Sequence, residues 1–493
     1  MRSTVRDSTV FNWTLNQKLL LAASALLAIG FYLFVSARVF RIGFPLDDTW
    51  IHLTYARNLA EHGEWAFRLG EHSAGSTSPV WTILLALGFI LHLGPYIWTY
   101  FLGWITLTLV SIQAENLAHR IVPAYQSKIP WVGLFFVWAW HLTWAATSGM
   151  ETLLHGLLIL TVLGELANDS RDYLKLGLLA GVSVWVRPDG LTLIGPILLA
   201  ALLNEQSISA KWQAFIRVLV GFGALFGLFL LFNLWIEGTP MPNTFYAKQA
   251  EFRAFWLSKS LGERVTNYLF PLIASPFLAL LPGLFIWIKS MWTKRNWGAL
   301  AGLIWFIGYV GIYFLRLPAY QHGRYIIPAF PILYLWSICG MLMYKSSKTA
   351  SQRVVFIWQV LAGLLCVMFT FVAARQNAYD VYWIESEMVT TAKWVQENIP
   401  PDARLAVHDI GALGYYVPNP IIDLAGLITP EVVPFIRDER RLEQYLSESS
   451  ADYLVVFISD YPNLTKIREP VFTAGLTYDP VGIDNDMRVY RLR

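Results

Sequence analysis

Apolar runs long enough to cross a bilayer recur along most of this chain, and they restrict the fold more than any other feature. They fall at 18–36, 96–115, 131–147, 152–167, 174–187, 190–203, 213–235, 270–288, 297–315, 326–344 and 354–372. A hydrocarbon core about 30 Å thick needs roughly 20 residues of helix. Inside lipid every backbone N–H and C=O must find a partner within the protein, so such runs form helices. The two runs within 174–203 are short for a crossing, and 80–93, which ends at Gly94-Pro95, is shorter still. The latter is expected to be interfacial or re-entrant. The pattern predicts an α-helical polytopic membrane protein with about 11 spanning helices.

Composition agrees: charged residues are 14% of the chain, against about 25% in a water-soluble domain. The 22 Trp and 23 Tyr suit interfacial belts. A net charge of +3 is too small to argue for nucleic acid as a partner. Cys339 and Cys366 lie in apolar runs and imply no disulfide framework. The run from Lys18 lacks a small-residue cleavage site and reads as an anchored helix.

Positive charge sets an expected orientation. With Arg2, Arg6 and Lys18 in the cytoplasm, alternate loops carry Arg120 and Lys128, Arg171 and Lys175, Lys211 and Arg217, Lys289 to Arg295, and Lys345 to Arg353. The implied location is the plasma or inner membrane, with the C-terminus outside. From about residue 375 the composition turns acidic, dividing the chain into a membrane domain (1–374) and a small extracytoplasmic α/β domain (375–493). Glu387 to Asn398 and Asp438 to Leu446 read as helices, Arg404 to His408 and Tyr453 to Phe457 as buried strands.

In this topology the polar motifs gather on the outer face. Asp47-Asp48 opens a polar loop, and Trp50 to Ala60 reads as a surface helix placing Asp48, His52 and Tyr55 on one side. One aspartate would suffice as a helix cap. A carboxylate beside a low-dielectric surface has raised proton affinity, which suits a general base, and the adjacent pair also has the donor set for a divalent cation such as Mg or Mn. The other candidates are Glu151, at a helix start; Arg187 and Asp189, flanking Pro188; Asn243, Tyr246 and Lys248; and His322 with Arg324. A helix-dipole role competes for Glu151, a local ion pair for Arg187 and Asp189, and interfacial anchoring for Tyr246, Lys248, His322 and Arg324. His408 and Asp409 are expected to serve the fold of the exported domain.

Asp47-Asp48-Thr49-Trp50-Ile51, Tyr55-Ala56-Arg57-Asn58-Leu59, Gly70-Glu71, Ser76-Thr77-Ser78-Pro79 and Trp81 together resemble the first outer loop of GT-C membrane glycosyltransferases. The likeness is greatest to the branch of the mycobacterial terminal arabinofuranosyltransferase. Protein O-mannosyltransferases and lipid A aminoarabinose transferases are more distant. Gly149-Met150-Glu151, Arg187-Pro188-Asp189-Gly190, the segment Asn243 to Lys248 and Gly323-Arg324-Tyr325 extend it over about residues 35–330. The resemblance implies a hexosyl- or pentosyltransferase using a polyprenyl-phosphate sugar and a glycan, lipid or protein acceptor, with Asp47 or Asp48 as base. A transporter or flippase of lipid-linked glycans is the alternative. It would call for ionisable groups near the bilayer midplane, where these runs carry almost none.

Overall fold

A computed structural model describes residues 14–475 and 486–493; Arg2 and Arg6, counted above as cytoplasmic charges, lie outside them. Helix α1 (Leu15–Val39) opens with a capping box between Thr14 and Gln17. The surface helix expected over 50–60 is α2 (Asp48–His62), closed by Gly63 in the left-handed region. A short hairpin of β1 (Ala66–Arg68) and β2 (Glu71–His72) follows. The doubtful 80–93 run becomes α3 (Pro79–Ile90). Its 12 residues span about 18 Å, too little to cross alone.

Helix α4 (Pro95–Ile121) is continuous, but the 131–147 run is not. It breaks into α5 (Trp131–Trp138) and α6 (Trp140–Thr147) at Ala139, which is extended. The carbonyls released by the break are recovered by side chains. Thr143 donates to Val137 O, and Cys366 and Thr370 both donate to Trp138 O. Irregular backbone at membrane depth survives only with such substitutes. The chain continues through α7 (Thr152–Ala167), α8 (Tyr173–Val186), α9 (Ile194–Asn204), α10 (Ile208–Glu237) and α11 (Asn243–Ser258). Helices α12 (Leu261–Ile273) and α13 (Phe277–Thr293) meet at a bend of 93°, where one straight run had been expected. Then come α14 (Trp297–Arg316), the single turn α15 (Tyr320–Gly323), α16 (Phe330–Lys345) and α17 (Gln352–Trp383).

Among the described residues, 6 helices are long and apolar enough to cross a membrane, or 7 if the bent pair is one span. Several of the remaining runs form shorter helices packed into the bundle. Helix α16 is buried over nearly its whole length and forms the bundle's centre. Leu228 and Leu231 of α10 and Val367 and Phe371 of α17 stay exposed, presenting apolar surface to lipid.

Helix α17 runs through a π-helical stretch (Ile384–Val389) into α18 (Thr390–Asn398). Strands β3 (Leu405–Val407), β4 (Ile421–Asp423), β5 (Tyr453–Phe457), β6 (Pro470–Thr473) and β7 (Met487–Arg491) form one sheet in the order β4-β3-β5-β7-β6. The first two pairings are parallel and those to β7 antiparallel. Side chains alternate between its faces. Ala406, Leu454 and Val456 pack with Leu442 and Leu446 of α20 (Glu439–Glu448). Leu405, Val407, Val455 and Val489 share a core with Phe44, Trp50 and Tyr55 of the first loop and with α19 (Ile410–Tyr416). The sheet domain is therefore seated on the same end of the bundle as Asp47-Asp48, with a continuous apolar interface.

Candidate active site

At that end a cavity of about 390 Å³ is framed by α2, the start of α7, the turn at Arg187, α11 and the last turns of α14. Asp48 is its focus. The Asp48 Oδ2 atom accepts from Arg324 Nη2 at 2.6 Å and from Lys248 Nζ at 3.2 Å. The three side chains come from residues far apart in sequence, and all are mostly buried. Burial alone would raise the Asp48 carboxyl, but the charges of Arg324 and Lys248 outweigh it and hold the group well below the usual carboxylate range.

The opposite wall is a second polar network. Arg187 donates to Glu151 at 2.9 Å and to Asp189 at 3.0 Å. Asp189 Oδ2 also accepts from Tyr309 (2.7 Å) and Tyr313 (2.8 Å), one turn apart on α14. Gly149, at φ +77°, makes the turn that starts α7 and delivers Glu151; a Cβ there would collide with the Thr49 side chain. Glu151 is 1% exposed, and its Oε2 finds no hydrogen-bond donor among the described residues. His52 Nε2 stands 3.5 Å from it, beyond a good hydrogen bond. Burial lowers the His52 pKa, so the imidazole is neutral at pH 7 and does not complete an ion pair. Glu151 thus belongs to the cavity lining while its Oε2 is itself buried.

Asp48, His52, Glu151, Arg187, Asp189, Lys248 and Arg324 thus line one cavity. The remaining candidates do not. Tyr55 shares a hydrogen bond with Ser73 and accepts from Gly75 N. Asn243 donates to Gly426 O at 2.5 Å, tying α11 to the sheet domain. Tyr246 is 41% exposed away from the lining. His322 donates to Asp380 at 2.7 Å on the far side of its turn. His408 does not serve its own domain alone: it meets Glu251 of α11 at 3.2 Å as well as Tyr461. Sequence reasoning missed Tyr309 and Tyr313; their spacing of four on an apolar helix was the available signal.

Asp47 has a different task. Its carboxylate accepts from Gly411 N at 2.7 Å and Ala412 N at 2.8 Å, at the start of α19, and it does not line the cavity. Gly411 permits this approach, since a Cβ would run into Asp47 itself. The two carboxylates diverge, one to the domain and one to the cavity. Asp47 accepts from two N–H groups and Asp48 from two cationic side chains, so the two are not held as a facing pair.

Burial, with help from Asp409, raises Asp47 to about 7 against the pull of the two N–H bonds. A raised acid holds its proton in the folded state where the unfolded chain, at about 3.9, has released it. Its contribution therefore falls as pH rises between those two values and is flat above. Asp409 and Asp423, both raised to about 6 by burial, act in the same direction. Thermal scans are expected to show the sheet domain more firmly docked at pH 5 than at pH 8, with a shallower slope in Asp47→Asn. An unchanged slope would remove Asp47 from this role.

The architecture matches solved structures over nearly the whole chain. The oligosaccharyltransferase of Archaeoglobus fulgidus aligns at TM-score 0.59 and 11% identity, covering 96% of this chain and 75% of that one. ArnT from Cupriavidus metallidurans, solved with undecaprenyl phosphate bound, aligns at TM-score 0.56 and 14% identity over 96% and 97%. The chain has the GT-C fold. The mycobacterial arabinofuranosyltransferase AftD also aligns (TM-score 0.50, 13% identity), with 96% of this chain covering 41% of that protein. This GT-C architecture includes the sheet domain, since the ArnT alignment nearly exhausts both chains. Residues 376–490 match a family model described as a domain of unknown function (DUF8728). No curated protein matches the sequence.

Proposed function

We propose that this protein is an integral-membrane glycosyltransferase that moves a hexosyl or pentosyl group from a polyprenyl phosphate to a cell-envelope glycan, lipid or protein. The observation carrying the proposal is Asp48 held between Arg324 and Lys248 in a cavity that, besides its polar wall, has an apolar flank. Phe245 and Ile312, both in the lining, are 42% and 47% exposed, so that flank opens toward lipid. A prenyl chain can lie there with its phosphate against the two cations. We read the domain-bearing face as non-cytoplasmic, from the distribution of Lys and Arg.

The ion pairs that depress Asp48 are the contacts a donor phosphate would claim. Once phosphate takes Arg324 and Lys248, burial dominates and Asp48 gains proton affinity where a base is needed. The acceptor oxygen then bonds the anomeric carbon from the side opposite the phosphate. Its proton passes to Asp48, the carbon–phosphate-oxygen bond breaks with its electron pair leaving on phosphate, and the configuration inverts. The transition state is oxocarbenium-like. The leaving phosphate changes from a diester to a monoester and gains negative charge, so Arg324 and Lys248 bind it harder as reaction proceeds. Arg187, in the lining and 14% exposed, is placed to hold a sugar hydroxyl, with Glu151 and Asp189 fixing its guanidinium. No step is routed through a metal.

Membranes containing the protein, given a radiolabelled polyprenyl-phosphate sugar and no nucleotide, are expected to move label into an acceptor fraction. Label that merely crosses the bilayer still attached to its lipid would mean a flippase and end the proposal.

A further inference from the structure

The 321–324 turn has a second cleft on the side away from Asp48, and the reaction above leaves it unused. Its walls are Pro45, Trp144, Gln321, the end of α17 from Gln376 to Trp383, and Ile384 just beyond it, and its volume is about 270 Å³. Helix α17 has 32 residues, about 48 Å, against a hydrocarbon core of about 30 Å. Its exposed aliphatic stretch ends near Val372. The polar and aromatic turns beyond, Gln376 to Trp383, stand at the water interface on the domain side.

The cleft is organised around Asp380. Its Oδ2 accepts from His322 at 2.7 Å and from Trp144 at 3.2 Å, and its Oδ1 from Gln376 at 3.2 Å. A carboxylate has about four lone-pair directions, so one remains for a ligand, and the side chain is 20% exposed. Gln321 and His322 hold left-handed φ values of 44° and 62°, strain that concentrates at ligand sites when residues carry a Cβ. That geometry turns His322 to Asp380 while Arg324, two residues on, reaches Asp48. Tyr379, Tyr382 and Trp383 are half-buried around the carboxylate.

Flat rings beside a positioned carboxylate and two amides suit a sugar ring, whose C–H face packs on aromatics while its hydroxyls bond the polar groups. A simple aromatic belt would not require a carboxylate fixed by three donors, and the charged group in the lining is Asp380, Arg375 being engaged on the Tyr379 hydroxyl and ring outside it. We propose that this cleft binds a neutral saccharide, the glycan end of the acceptor. Three residues separate Gln321 from Arg324 and Pro45 from Asp48, at most about 11 Å of chain, so the two cavities are neighbours. The acceptor role rests on the transfer reaction proposed above; saccharide binding does not.

Saturation-transfer NMR on the full chain in nanodiscs, with methyl glycosides of mannose, galactose, glucose and arabinofuranose, tests it. At least one glycoside is expected to receive saturation and to bind up to about tenfold more weakly to Tyr379→Ala. Gln376→Ala, at an exposed position, serves if that variant folds poorly and is expected to weaken binding in the same direction. Undecaprenyl phosphate and Asp48→Asn are expected to leave the signal unchanged. No saturation in any glycoside, full binding in both variants, or displacement by undecaprenyl phosphate would overturn the site. Binding without any transferase activity would keep the saccharide site and remove its acceptor role.

Discussion

Asp48→Asn is expected to lower transfer by about 10²- to 10⁴-fold, the range for loss of a general base, with protein abundance and melting temperature little changed. The amide is nearly isosteric and its oxygen can still accept from Arg324, so the expected loss is of proton acceptance rather than of the pocket. Asp47→Asn is the matched control one residue away. Its carboxylate meets Gly411 and Ala412 rather than the cavity, so its effect should be on docking of the sheet domain, with transfer within about tenfold of the parent once the domain is seated. Single-turnover assays with preloaded donor isolate the chemical step from binding. Full activity in Asp48→Asn would exclude it as the base. A dead Asp47→Asn with its domain still docked would move the role to Asp47.

That one residue of displacement explains what the sequence could and could not reveal. Strand β5 occupies the run read as a strand, and α2 contains the helix read from Trp50 to Ala60, because local periodicity fixes such elements. The split at Ala139 was not legible, since the side chains replacing its lost backbone bonds, Cys366 and Thr370, arrive from α17. The same limit applied to the acid pair. Asp47 has helical φ and ψ at the start of α2, so it and Asp48 point about 100° apart. Which of them faces the cavity is decided by the sheet domain, more than 350 residues later in the chain. His322 and Arg324 carried the same ambiguity across two left-handed residues. Convergence of Asp48, Glu151, Arg187, Lys248 and Arg324 was legible as a clustering of polar motifs on one face, because charge is seldom spent near lipid without a partner.

Arg324→Gln is the other large effect, with kcat expected to fall about 10²- to 10³-fold, as when one preorganised donor to a developing charge is removed. Its diagnostic part is the pH profile. In the parent, burial raises the Asp48 carboxyl but Arg324 and Lys248 pull it far below its ordinary range. Taking away Arg324 removes the larger of the two opposing charges, so the free-enzyme pKa of Asp48 must rise. The acid limb of kcat/KM, which reports the free enzyme, should therefore move to higher pH, while loss of a purely structural arginine would lower the profile without shifting it. Arg324→Lys keeps the charge but loses the planar fork, so it should return the limb toward its parental position and recover only part of kcat. An acid limb unmoved in Arg324→Gln would mean that Asp48 does not titrate in catalysis, and the exchange of Arg324 from Asp48 to phosphate would have to be abandoned.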